Sequence, residues 1–63
     1  EMEGMLLSPD IDYMSITGIR IEARQKLAAR RPHSLAQAGR VPGVNPSDVA
    51  VLMVWLKKNR SAG

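Results

Sequence analysis

Apolar and polar residues follow one another along most of the chain in the spacing of amphipathic α-helices. The first such stretch predicts a helix from about Ile19 or Arg20 to Arg30, and Pro32 ends it. Its inward face is marked by three apolar residues spaced four apart: Ile19, Ala23 and Leu27. Because residues at this spacing lie on one side of a helix, we expect this face to pack into the core.

The residues ahead of this helix, 1–18, show no helical spacing. Ser8-Pro9-Asp10 is a turn signal, and Gly18 interrupts any helix that begins earlier. Three apolar side chains are spaced unevenly in this segment: Ile11, Tyr13 and Ile16. We therefore expect an irregular N-terminal arm that these side chains anchor to the helical body.

A second, short helix is predicted from Leu35 to about Arg40, with Ser34 as its N-cap. Leu35 and Ala38 are expected to face inward. The sequence Val41-Pro42-Gly43-Val44 that follows is typical of a tight connection, because Pro and Gly are turn residues.

The third helix is predicted to begin with Pro46 after the N-cap Asn45 and to run to about Lys58. One apolar stripe of this helix consists of Val49, Leu52, Met53 and Leu56, and a second, on the opposite side, of Val51, Val54 and Trp55. A surface helix normally has one apolar stripe. The third helix is therefore either a central helix covered on all sides or a helix whose second stripe docks on another protein or on the rest of a parent chain.

These elements predict an all-α fold: a small three-helix domain over residues 19–60, with an irregular N-terminal arm over residues 1–18 and a frayed tail over residues 61–63. A chain of 63 residues buries only a small core, and we expect it to be part of a longer protein. Its longest apolar run has eight residues, Val49 to Leu56, whereas a membrane span needs about 20, so no membrane partner is expected.

Catalytic and metal-binding chemistry is not predicted for these residues. The chain has no cysteine, and its one histidine, His33, has no carboxylate at ligand spacing. No serine has a paired base, and the glycines form neither a dinucleotide fingerprint nor a phosphate-binding P-loop. We expect no catalytic residue, no metal and no cofactor in this part of the protein.

The charge is divided unevenly along the chain, although the net value is only +3. Residues 1–19 hold four acids and no base, whereas residues 20–63 hold all nine bases and two acids. Five bases fall within twelve residues: Arg20, Arg24, Lys26, Arg30 and Arg31. This cluster is either a solvated helix face or a nucleic-acid surface. The division of charge indicates either that the acidic arm folds onto the basic body or that the body faces an anionic partner.

The second and third helices with their Pro-Gly turn have the form of a helix-turn-helix or helix-hairpin-helix unit. In such hairpins the backbone amides of the turn hold a phosphate, and Gly43 allows a close approach while Arg40 lies beside it. Asp48 opposes this interpretation, since it places a negative charge at the same helix start. A stand-alone nucleic-acid-binding module of this type is the alternative prediction for the chain.

Several short sequences together resemble one family, the C-terminal helical domain of the GidA/MnmG family, the flavoprotein subunit of the tRNA uridine 5-carboxymethylaminomethyl modification enzyme. They are Asp12-Tyr13, Ile19, Glu22-Ala23-Arg24-Gln25-Lys26-Leu27, Arg31-Pro32, Leu35-Ala36-Gln37-Ala38, Arg40-Val41-Pro42-Gly43-Val44 and Pro46. The resemblance extends from about Ser8 to Lys58. Its most specific part is Arg31-Pro32 followed by the stretch from Gln37 to Pro46.

The resemblance implies that the parent is a cytoplasmic, FAD-dependent homodimer that uses NADH and a folate one-carbon donor. With a GTPase partner it would modify the wobble uridine of certain tRNAs. FAD and the catalytic residues of the family belong to domains upstream of this one, so none is assigned here. The family's helical domain is implicated in engaging the GTPase partner and in holding tRNA.

Two functional hypotheses follow. In the first, the domain docks the parent flavoprotein on its GTPase partner through Val51, Val54 and Trp55, with Lys58 at the charged rim beside Lys57. In the second, the domain binds nucleic acid, and the predicted contacts are Arg20, Arg24, Arg31, Arg40 and Gly43. A third possibility is that the second stripe packs only on the flavin domain of the parent.

Overall fold

The computed structural model describes residues 4–62, and their side chains up to Asn59. A short 3₁₀ turn, Tyr13–Ser15, is followed by three α-helices: α1 (Ile21–Arg30), α2 (Leu35–Ala38) and α3 (Pro46–Ala62). Within the described residues there is no β-strand, only one isolated antiparallel bridge between Leu6 and Ser34. The predicted all-α, three-helix fold with an irregular N-terminal arm is therefore confirmed.

Two helix starts are fixed by their caps. The Oγ of Ser34 accepts the amide of Gln37 at 3.2 Å, as expected for the N-cap of α2. At α3, Asn45 Oδ1 accepts the amide of Asp48 at 3.0 Å, and Pro46 is the first helical residue. Both caps were predicted from the sequence, and both are confirmed.

Three helix ends differ from the predictions. Helix α1 begins at Ile21, because Arg20 has extended backbone (ψ 148°) and is the N-cap; its amide donates to Oδ1 of Asp48. Helix α2 ends at Ala38, two residues early, since the amide of Arg40 bonds to Gln37 in a tighter turn. The predicted end of α3 at Lys58 is wrong.

Helix α3 continues to Ala62, since neither proline nor glycine interrupts residues 59–62. Ser61 and Ala62, predicted as part of a frayed tail, thus have helical backbone. Gly63 and residues 1–3 at the start of the arm lie outside the described residues.

The core is built by the arm and the helices together. From the arm it receives four buried side chains: Leu7, Ile11, Tyr13 and Ile16. From the helical body it receives Ile19, Ala23, Leu27, Leu35, Ala38, Leu52 and Leu56. The expected anchors of the arm and the expected inward faces of α1 and α2 are thus buried, and their burial supplies most of the stabilisation of so small a domain.

Backbone hydrogen bonds fasten the arm beside the start of α2. The amide of Leu7 donates to the carbonyl of His33 at 2.8 Å, and the amide of Leu35 donates to the carbonyl of Met5 at 3.0 Å. The bridge between Leu6 and Ser34 lies between these two bonds. The arm is therefore held at the start of α2 near Leu7, and at its other end Gly18 lies close to Val51 of α3.

Candidate interaction surfaces

An open apolar groove lies between the end of the arm and the second stripe of α3. It has a volume of about 450 Å³. Its walls are Ser15, Ile16, Thr17 and Gly18 from the arm and Ala50, Val51, Val54, Trp55 and Lys58 from α3. All four residues predicted for partner binding thus line one groove, called the Trp55 groove below.

The floor and rim of the Trp55 groove differ in exposure. Val51 and Trp55 are half-buried and pack against the core, whereas Val54 is 53% exposed. Gly18 allows the arm to approach α3 closely, since a Cβ on this residue would lie 2.9 Å from Cγ1 of Val51. The second stripe is therefore partly used inside the domain and partly open to a ligand.

The first stripe of α3 divides in a similar way. Leu52 and Leu56 are buried, while Val49 and Met53 are half-buried and line a second groove of about 390 Å³ between α2 and α3. Arg40 forms part of its rim. Each of the two apolar stripes of α3 is thus partly buried and partly exposed.

Arg20, predicted as a nucleic-acid contact, is engaged within the chain. Its Nη2 lies 2.8 Å from Oδ2 of Asp48 and also donates to the carbonyl of Gly43 at 2.8 Å. Its Nη1 lies 3.5 Å from Oε1 of Glu22. These bonds raise the pKa of Arg20, with the hydrogen bond to Asp48 as the largest cause. The guanidinium joins the start of α1 to the turn before α3.

Asp48, the partner of Arg20, is 2% exposed. Its Oδ2 also accepts the amide of Asn45 at 3.0 Å, which completes a reciprocal cap with the bond from Asp48 to Asn45. Burial by itself raises the pKa of Asp48, but the hydrogen bonds from Arg20 and from the Asn45 amide outweigh it and hold the pKa below its usual value.

The turn before α3 offers few free donors for a phosphate. The amide of Val44 bonds to the carbonyl of Val41, and the amides of Asn45 and Asp48 are used in the cap. Gly43 has a φ of +95°, which explains the need for glycine, and its carbonyl accepts Arg20. The buried carboxylate of Asp48 occupies the position at the helix start that an anionic ligand would take.

Two more of the predicted arginines hold the arm. Nη1 of Arg24 donates to the carbonyl of Met14 at 2.7 Å. Arg31 donates to the carbonyls of Pro9 and Ile11, and its guanidinium lies 5.2 Å from the ring centre of Tyr13.

Tyr13 itself is buried, and burial raises its pKa while the nearby Arg31 lowers it by less. Arg31 also has left-handed backbone, with φ 49°, at the end of α1, so its side chain turns back toward the arm. The sequence shows that Arg24 and Arg31 are positively charged, but it does not show which backbone carbonyls accept their hydrogen bonds.

Arg40 and Arg30 differ from Arg20, Arg24 and Arg31. Both are exposed, and in residues 4–59 neither side chain has a hydrogen bond or an ion pair. They line the same shallow cleft. Arg40 was among the predicted nucleic-acid contacts. Arg30 was predicted only as a member of the five-base cluster, either a solvated helix face or a nucleic-acid surface, and was not among the predicted contacts.

The described part of the chain has neither a metal-binding group of side chains nor a membrane-spanning helix. No group of three or more His, Cys, Asp or Glu residues there is arranged to hold a metal ion. No helix in that part has the length and apolar content needed to cross a membrane. His33 is exposed, and its amide donates to Oε1 of Gln37.

Comparison with known families gives a match over the whole chain. Residues 1–63 match the family described as the tRNA modifying enzyme MnmG/GidA C-terminal helical bundle. Two relatives are named tRNA uridine 5-carboxymethylaminomethyl modification enzyme MnmG. The protein of Alkaliphilus oremlandii is 52% identical over 60 residues, which are 95% of this chain and 10% of that protein. The protein of Geobacillus thermodenitrificans is 50% identical over 62 residues, which are 98% of this chain and 10% of that protein.

A solved structure shares the fold. GidA of Aquifex aeolicus, in its form II crystal, superposes with a TM-score of 0.82 at 39% identity, over 89% of this chain and 9% of that chain. The present chain thus spans about a tenth of the length of the relatives that it matches. With the sequence match, the shared fold and the three observed helices in agreement, the chain belongs to the MnmG/GidA C-terminal helical bundle family.

Proposed function

We propose that this chain is a non-catalytic interaction domain of an MnmG-type tRNA-modifying enzyme, which docks a GTPase partner through the Trp55 groove and helps to hold tRNA. The enzyme would work in the cytoplasm, and FAD and NADH would be bound by its other domains. The observation that carries the docking proposal is the Trp55 groove itself, in which a half-buried tryptophan lies beside an exposed valine.

The chemistry of the Trp55 groove suits a protein partner. Tryptophan is enriched among residues that contribute most to binding, above all where it is anchored in a pocket rather than loose on a surface. Trp55 is anchored in this way, because it packs against the core. Lys58 at one end adds a positive rim, which favours a partner segment with an acidic residue beside its apolar contacts.

The alternative of a stand-alone helix-hairpin-helix module has less support. The amides of Asn45 and Asp48 are already used in the cap of α3, and Asp48 is negative. The positive charges of Arg20, Arg24 and Arg31 are still available to the long-range attraction of tRNA, but their donors are partly spent on the chain itself. Docking of a protein at the Trp55 groove is therefore the better-supported function.

The test uses the full-length enzyme that contains this domain. Val54→Asp places a charge in the groove, and we expect the Kd for the GTPase partner to rise about tenfold or more, since one fully desolvated contact of this type is worth 1–2 kcal/mol or more. Thermal unfolding of the enzyme is expected to stay unchanged, because Val54 is exposed in this domain.

The matched control is Ile21→Asp. Ile21 is also a β-branched helical residue, it is 51% exposed, and it does not line the groove. We expect the Kd of Ile21→Asp for the GTPase partner to equal that of the wild type. An unchanged Kd for Val54→Asp would refute docking at this groove. A loss of stability of the whole enzyme in Val54→Asp alone would show instead that the flavin domain covers the groove.

A further inference from the structure

The cleft that contains the two unpaired arginines lies between the end of α1 and the turn after α2. It has a volume of about 290 Å³ and is lined by Arg30, Pro32, Gln37, Arg40, Val41 and Pro42. Two guanidinium groups thus border one cavity, and none of its six lining residues is acidic.

These two guanidinium groups are free to bind a ligand, whereas those of Arg20, Arg24 and Arg31 already have partners within the chain. Arg20 is neutralised by Asp48, and Arg24 and Arg31 donate to carbonyls of the arm. Arg30 and Arg40 have no such partner within residues 4–59. A guanidinium presents its donors in a planar fork that matches the oxygens of a phosphate.

Gln37 adds a neutral donor to the same cleft. The amide of His33 is a donor only, so its 2.9 Å partner on Gln37 is the oxygen Oε1. The side-chain nitrogen Nε2 of Gln37 is therefore the atom that remains for a ligand, and it also is a donor. Pro32, Val41 and Pro42 supply an apolar floor beside these three donor groups.

We infer that this cleft is a phosphate-binding site for the sugar-phosphate backbone of tRNA, with Arg30, Arg40 and Gln37 as its donors. The inference rests on the proposed tRNA-holding function and gives it a location that shares only Arg40 with the contacts predicted from sequence. RNA is favoured over an acidic protein segment because the donors border a shallow, open cleft with a small floor, and the family is named for acting on tRNA. The site reads phosphate and not base sequence.

The experiment measures tRNA binding by the full-length enzyme as a function of salt. For Arg30→Gln and Arg40→Gln, we expect the slope of log K against log salt to fall by about 1 for each lost phosphate contact. The double variant is expected to raise the Kd several-fold at physiological salt, and a non-cognate tRNA is expected to lose the same amount. Arg30→Lys with Arg40→Lys keeps the charges and should restore most of the slope but not the full affinity.

Lys26→Gln is the control that removes one charge elsewhere. Lys26 is exposed on α1 and does not line the cleft. The tRNA affinity of Lys26→Gln and the slope of log K against log salt should equal those of the wild type. The inference is wrong if the double glutamine variant binds tRNA like Lys26→Gln, or if it loses affinity for the GTPase partner and not for tRNA.

Deletion of the whole domain separates this inference from the proposed function. If the deletion abolishes tRNA binding and the double variant does not, the domain holds tRNA through another surface and only the cleft assignment fails. If the deletion leaves tRNA binding intact, the tRNA-holding function itself fails, and the cleft assignment fails with it.

Discussion

Nη2 of Arg20 lies 2.8 Å from Oδ2 of Asp48, across 28 positions of sequence. The same carboxylate also caps the first turn of α3 through the amide of Asn45. Arg20, which sequence analysis assigned to a tRNA phosphate, therefore already has an anionic partner within the protein. Arg20 joins two helices whose starts would otherwise be linked only through the core.

Replacement of Asp48 by Asn is expected to destabilise the domain by about 1–2 kcal/mol, because a buried carboxylate that accepts several hydrogen bonds becomes an amide with only one acceptor atom. Urea unfolding of the 63-residue chain measures the change. Asp12→Asn is the control, since Asp12 is exposed and its carboxylate makes no hydrogen bond in the described residues. Equal stability of the two variants would contradict the role of Asp48.

Acid should weaken the domain through the same carboxylate. The pKa of Asp48 is lower in the folded chain than in the unfolded one, so its contribution is complete above the unfolded pKa of about 4 and is lost as the pH falls through the folded pKa. Thermal unfolding between pH 7 and pH 2 is expected to show a smaller decline for Asp48→Asn than for the wild type. Parallel declines would show that another group carries the acid sensitivity.

Replacement by alanine should destabilise the domain at Gly18 but not at Gly39. Gly18→Ala places its Cβ 2.9 Å from Cγ1 of the stiff side chain of Val51, so we expect a loss of about 1 kcal/mol or more and a distorted Trp55 groove. Gly39 has helical backbone (φ −66°), and its Cβ would meet only ordinary contacts from 3.6 Å. Gly39→Ala should therefore leave stability unchanged or raise it by about 0.5 kcal/mol. Melting temperatures of both variants decide the comparison.

Arg31→Gln should loosen the arm. The variant removes the guanidinium donors to Pro9 and Ile11 and the cation beside Tyr13, a loss of about 1 kcal/mol at this exposed position. The amide of Leu7, which bonds to His33, should then exchange with solvent about fivefold faster. Arg30→Gln removes the neighbouring charge without touching the arm, and exchange at Leu7 should not change; faster exchange in both variants would indicate a general charge effect.

Local signals in the sequence predicted the helices well. Ser34, Asn45 and Pro46 act within a few residues of their own positions, so their roles as caps and first helical residue are visible without the fold. Burial of Ile19, Ala23 and Leu27 follows in the same way from helical spacing. The end of α3 was missed because no residue near Lys58 stops a helix.

The use of each arginine was not predictable in this way. Residue type gives the charge, but most of the acceptors of Arg20, Arg24 and Arg31 lie 10 to 28 positions away and are backbone carbonyls, which every residue has. One signal was available: Asn45 and Asp48 have the spacing of a reciprocal cap, which indicates that Asp48 belongs to the structure of the turn. Because the carboxylate of such a cap favours a positively charged partner, a base of this chain could have been expected to pair with Asp48.

The Trp55 groove exists only while the arm is closed, since four of its nine lining residues belong to the arm. Occupancy of the groove and closure of the arm are therefore thermodynamically linked. In the proposed docking, a partner bound beside Val51 and Trp55 would hold residues 15–18 in place and slow their opening. Conversely, the affinity for that partner falls in proportion to the fraction of molecules whose arm is open. The bonds from Arg24 and Arg31 to the arm would thus strengthen the proposed docking, although neither residue lines the groove.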